Sequence, residues 1–374
     1  MSGANVSAIA HSHQEIIDRF CAPGLAMASV LAAAIVLALL VPANGSAQAW
    51  SKKTPDGHPD LQGFWSSQTT APLERDPNCG TKEFWTAEEM AKGTRTCARP
   101  DAPAAAGQRG RGGAPGAAGG QRGRGQRSNG EVDPHYDTAQ FGLNVRTMAT
   151  NNRTSLIVGP EGRIPPLTAF GQERQAELAK QRTSFDSAQD RALTERCIVW
   201  NAQGPPMMSP GYNSNLQIVQ SDGYVMVLPE MMQDARIIPQ KPRAALSEQV
   251  RLWGGDSQGR WEGDTFVVET KNFNGRNPFQ RVSSEKMKLT ERFRRIDENT
   301  LIYEFTVDDP VWTKPWTVQV PWAKSQGPMF EYACHEGNYG MADILSGARA
   351  DEKKAAEAAK AKSGAGVSPS GRNQ

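Results

Sequence analysis

Beyond residue 215 the chain runs in short apolar segments punctuated by turn residues, the pattern of an antiparallel sheet. Residues 216–220 (LQIVQ) and 224–228 (YVMVL) flank Ser221-Asp222-Gly223, where glycine can take the positive φ of a tight hairpin. Gly263-Asp264 opens 265–270 (TFVVET), and 287–295 (MKLTERFRR) leads through Asp297-Glu298-Asn299 into 300–307 (TLIYEFTV). After Pro310, 315–322 (PWTVQVPW) and 329–334 (MFEYAC) bring the total to about eight strands, and connections this short leave neighbours antiparallel. Within them Leu301, Tyr303, Phe305 and Val307 share one face, as do Trp316, Val318, Val320 and Trp322. So many strands with one apolar face must close on themselves or cover a second sheet, and a barrel is the expected form. The same parity turns Glu291, between Leu289 and Phe293, toward the interior, where a carboxylate needs a partner or a shifted pKa. Before the C-terminal tail only 170–182 (FGQERQAELAKQR) reads as a helix.

The N-terminal pattern differs in kind. Residues 25–41 are apolar and uncharged, and small residues ending in Ala47-Gln48-Ala49 follow, an A-x-A site that predicts a signal peptide over 1–49 and a mature start at Trp50. A retained anchor is the competing reading of a run of about 17 residues. Export with no stable membrane insertion after cleavage is expected. Residues 50–101 then join the main domain, 102–130 are rich in Gly, Ala, Gln and Arg and read as a disordered linker, and 131–348 form the β-rich domain. The tail, 349–374, begins with a solvated helix-forming stretch at 350–362.

With 42 basic and 40 acidic residues the chain carries a formal charge of +2, which gives no electrostatic case for nucleic acid; the Arg-Gly repeats of the linker lack interleaved aromatics for stacking on bases. Four cysteines follow the leader. In an exported chain they predict two disulfides, Cys79 with Cys97, which bracket one short segment, and therefore Cys197 with Cys334. A zinc site lacks the required spacing, and no metal or cofactor is expected.

At the start of the mature domain Gly63-Phe64-Trp65 forms a Gly-x-Trp that resembles the opening motif of lipocalin-like (calycin) barrels, a likeness that implies a structural role for Trp65 at one barrel end. Across residues 54–348, the segments PDLQGFW, GRIPPLT, GRWEGDTFVVET, ERFRR, PWT and EYACHEGNYG are similar to those of a large group of exported bacterial proteins. That second resemblance implies export and carries no chemistry. The expected fold is thus mainly β: an antiparallel meander, closed as a lipocalin-like barrel, with one or two appended helices.

Candidate chemistry is sparse. The chain has no G-x-S-x-G, H-E-x-x-H, Walker loop or dinucleotide fingerprint. His58, His135 and His335 are the histidines beyond the leader, and only His335 sits in a dense polar cluster, with Glu336 and Asn338 beside Cys334. His335 with Glu336 or Glu230 could do general acid and base work, while Asn338 and His335 could equally pin the turn. A second cluster joins Glu230, Asp234 and Arg236, an arrangement more typical of a structural ion pair. His58, beside Asp60, could reach these groups only if the first strand lies at the same barrel end. The expected function is binding of a small, partly apolar molecule in an interior lined by Tyr303, Phe305 and Trp316, with Glu291, Arg236, His335 and Asn338 as polar contacts. A hydrolase, lyase or isomerase using His335, and a structural envelope protein, are the alternatives.

Overall fold

A computed structural model describes residues 50–93, 95–97, 148–181, 184–200, 204–209, 213–336 and 338–364. The expected leader (1–49), the 102–130 linker, His135 and the end of the tail lie outside the described residues. The described residues cluster as one compact unit.

Nine antiparallel strands form one sheet: β1 (Gly63–Ser66), β2 (Asn215–Ser221), β3 (Tyr224–Pro229), β4 (Arg236–Pro239), β5 (Asp256–Glu262), β6 (Thr265–Lys271), β7 (Lys288–Arg295), β8 (Thr300–Asp308) and β9 (Trp316–Ser325). Their spatial order is β4-β3-β2-β1-β9-β8-β7-β6-β5. In the backbone ladder, two sequential meanders, β2 to β4 and β5 to β9, are therefore joined through β1, which pairs Trp65 with Leu216 on one side and with Lys324 on the other. The Gly-x-Trp segment is this joint.

The expected alternation holds. Leu301, Tyr303, Phe305 and Val307 of β8 and Trp316, Val318, Val320 and Trp322 of β9 are all buried in one core, and the register sets Leu301 against Trp322 and Tyr303 against Val320. Trp65 joins this core, its indole N–H donating to Leu61 O at 3.0 Å. Arg295 lies over it, Cζ 5.0 Å from the Trp65 ring and 3.8 Å from that of Trp50, and its guanidinium donates to the carbonyls of Asp60, Asp297 and Glu298.

The sheet is not closed into a barrel by a backbone ladder. Side chains instead bridge its two edges: Arg236 of β4 donates to Ser257 of β5, Gln258 Nε2 donates to Pro239 O at 2.9 Å, and the Trp261 indole donates to Gln240 Oε1 at 2.8 Å. Gly259 permits this approach, since a Cβ there would lie 2.3 Å from Phe266 Cζ and 3.0 Å from Ile238 Cγ2.

Three α-helices are present among the described residues: α1 (Ala87–Ala91), α2 (Ala169–Gln181) and α3 (Tyr339–Gly364). Thr86 and Glu89 form a reciprocal capping box at α1. Helix α2 is pinned where Gly171 meets the Val311 carbonyl and where Arg174 donates to Val282 O, Ser283 O and Gly275 O. Helix α3 starts well before the expected residue 350. The strand expected at 329–334 is absent: both sides of β9 are already occupied by β8 and β1, so the segment that follows has no free ladder beside it. Both disulfides pair as expected, Cys79 with Cys97 and Cys197 with Cys334, with Cα atoms 5.1 and 5.7 Å apart.

Candidate functional site

Among the described residues, aromatic side chains pack the apolar face of the sheet. Phe279 packs on Phe305 and Trp316, while Tyr303 stacks on Trp322 with ring centroids 4.7 Å apart. Phe305 and Trp316, expected to line a pocket, instead fill the core. A cavity of about 540 Å3 lies at the edge of the sheet, beside the β4–β5 junction.

Three segments wall this cavity. The turn between β3 and β4 contributes Met231, Met232 and Asp234, and Met232 and Gln233 hold positive φ (62° and 50°) there, a left-handed conformation that non-glycine residues adopt at a cost. Gln233 Nε2 anchors the turn to Phe330 O at 3.0 Å. A second wall carries Val199, Trp200 and Met207; Cys197 ties its start to Cys334, and the Met207 N–H donates to the Tyr303 hydroxyl at 3.0 Å. The third runs from Arg243 to Ser257 and presents Leu246, Leu252 and Trp253. Asp256 holds that wall, pairing with Arg243 and accepting the Leu246 N–H at 3.2 Å.

At the cavity floor a buried polar network crosses the sheet edge. Glu291, on β7, is 0% exposed and is gripped by both terminal nitrogens of Arg236, whose side chain is 12% exposed. Arg236 also donates to Ser257 Oγ and to Thr270 Oγ1 at 2.8 Å, and Tyr303 donates its hydroxyl to Glu291 Oε1 at 2.8 Å. Every oxygen of this carboxylate is thereby met, as a buried charge requires. Burial opposes the Arg236 charge, but the Glu291 carboxylate outweighs that cost and holds the guanidinium pKa above its ordinary value. Burial, reinforced by Glu291, pushes the Tyr303 phenol well above its usual range, so it stays a donor.

Other candidate residues fall elsewhere. His335 and Glu336 are exposed in a turn and do not line the cavity. Asn338 is a structural clamp, donating to Glu195 O at 2.8 Å and to Cys197 Sγ at 3.5 Å. Glu230 is buried next to the cavity wall and accepts both the backbone and side-chain N–H of Asn215. His58 stacks on Trp261, centroids 4.8 Å apart, and Asp60 pairs with Lys52. Arg236, Glu291 and Tyr303 are thus the expected site residues that the fold brings together. Trp200, Trp253 and Arg243 were missed because no alternation marks the irregular segments that carry them; the paired methionines of PEMMQDARIIP were the available signal for this wall.

Among the described residues no His, Cys, Asp and Glu cluster could hold a metal ion, and no helix is long and apolar enough to cross a membrane. Compared with family models, curated proteins and solved structures, the chain gives no match.

Proposed function

We propose that this protein is an exported binding protein that holds a small, partly apolar molecule in the cavity beside the β4–β5 junction. The carrying observation is the composition of that cavity: about 540 Å3 walled by Val227, Ile237, Leu252, Trp253 and three methionines, with a few fixed polar groups. Apolar walls with a small number of oriented polar groups are what small-molecule sites share. Thioethers and indoles adapt to irregular apolar shapes. The scaffold is read here as lipocalin-like, a barrel whose last seam is made by side chains. Support comes from the Gly-x-Trp strand at the joint of the two meanders and from the Trp261, Gln258 and Arg236 contacts across the seam. Two disulfides support export, since such bonds persist in oxidising compartments.

The test is titration of the full chain with the neutral fluorophore N-phenylnaphthylamine. Saturable, one-to-one fluorescence enhancement is expected, and Ile237→Trp should abolish it by filling the cavity. Ile237 is 62% exposed, so the larger ring does not disturb the core. Absence of binding, or binding unchanged in the variant, would overturn the reading.

A further inference from the structure

Building on the binding reading above, we propose that the cavity selects a cationic ligand, an apolar body carrying a protonated amine, with Asp234 as its counter-charge. The charges of the lining and floor are almost all paired. Arg236 is neutralised by Glu291 in a two-toothed grip, and its remaining donors are engaged by Ser257 and Thr270. Arg243 is neutralised by Asp256 and also donates to Ala244 O and Ser257 O. Asp234 lines the same cavity and makes no ion pair or hydrogen bond among the described residues. Lining and floor together, three carboxylates (Asp234, Asp256 and Glu291) against two guanidiniums, therefore hold one carboxylate in excess.

An anionic ligand would find both arginine forks already committed to carboxylates and a third carboxylate facing it, so it meets repulsion without a free partner. A cation meets the opposite. Asp234 offers an acceptor, and the indoles of Trp200 and Trp253 and the thioethers of Met207, Met231 and Met232 line the rest of the volume. Indole faces and sulfur are the apolar surfaces that best tolerate a neighbouring cation. Trp253 already accepts one, since Arg276, exposed and outside the lining, rests with Cζ 5.6 Å from its ring. Asp234 is exposed at the cavity rim, and the turn that carries it is held by the two left-handed residues before it and by the Gln233 anchor to Phe330.

The experiment compares three probes of one shape and different charge, phenylbutylamine, phenylbutanol and phenylbutyrate, titrated calorimetrically into the full chain, into Asp234→Asn and into Ile237→Trp. The amine should bind about tenfold more tightly than the alcohol, the effect of one charge-assisted hydrogen bond, and the carboxylate most weakly. Asp234→Asn should bring the amine down to the alcohol while leaving the alcohol unchanged, and added salt should weaken only the amine. Binding of the carboxylate as tight as that of the amine, or an amine preference that survives Asp234→Asn, would overturn the proposal. If the three probes bind equally and Ile237→Trp removes them all, the charge selection fails and the binding cavity stands. If none binds, or if binding survives Ile237→Trp, both readings fall.

Discussion

Two buried glutamates show how differently one residue type can be held. Glu291 is met by a guanidinium and a phenol, whereas among the described residues Glu230 meets only the amides of Asn215, and burial pushes its pKa above the ordinary 4.5. The sign of the consequence follows. A folded state with the higher pKa binds more protons than the unfolded chain between 4.5 and its own value, so this group's contribution is fully present below 4.5 and is lost as pH rises through that window. Glu230→Gln keeps one oxygen to accept from Asn215 and removes the charge. The variant should be more stable than the wild type near neutral pH, with the difference shrinking to nothing in acid, as urea unfolding at the two conditions would show. A variant less stable at both would mean that the carboxylate's second oxygen matters more than its charge. Strand parity made the inward direction of Glu291 legible in the sequence. Its partner was not, because Arg236 sits 55 residues away on a four-residue strand too short to display a period.

Among the elements, the long alternating strands β7, β8 and β9 were readable because each buries a full apolar face. Strand β5 (DSQGRWE) was not: its buried positions are Asp256, Ser257 and Gly259, which find ion-pair, hydroxyl and close-packing partners only in the folded chain. The cavity suffers the same illegibility, since its walls are irregular segments held by individual bonds. One of these holds is the Cys197–Cys334 bridge, which closes 137 residues against 18 for Cys79–Cys97. In the chain-entropy account the long loop contributes about 4 to 5 kcal/mol and the short one about 3. Replacing Cys197 and Cys334 together by serine should therefore lower stability more than replacing Cys79 and Cys97. It should also weaken N-phenylnaphthylamine binding, because the Val199 and Trp200 wall starts at Cys197. Chemical denaturation and fluorophore titration of both double variants would measure this, and equal effects on binding would sever the bridge from the cavity.

At the scale of the whole molecule, the meander order and the mainly β class followed from short connections, but where the sheet stops did not. Its two edges meet through side chains over Gly259, where a Cβ has no space between Phe266 and Ile238. Gly259→Ala should cost about 1 to 3 kcal/mol by forcing β4 and β5 apart, and should lower fluorophore affinity as well, since Arg236, Ile237, Asp256 and Ser257 line the cavity at this junction. Thermal unfolding with and without the fluorophore would separate the two losses.

The side-chain seam also bears on strand pairing between copies of this protein. A sheet that ends in two strands normally offers two rows of unpaired amides and carbonyls as templates for a neighbouring chain. Here each edge is turned toward the other, and Gln258 already occupies the carbonyls of Pro239 and Lys241. The edges mask each other from intermolecular strand pairing, so loosening the seam would unmask two sticky borders at once and turn a local packing fault into fibrillar self-association.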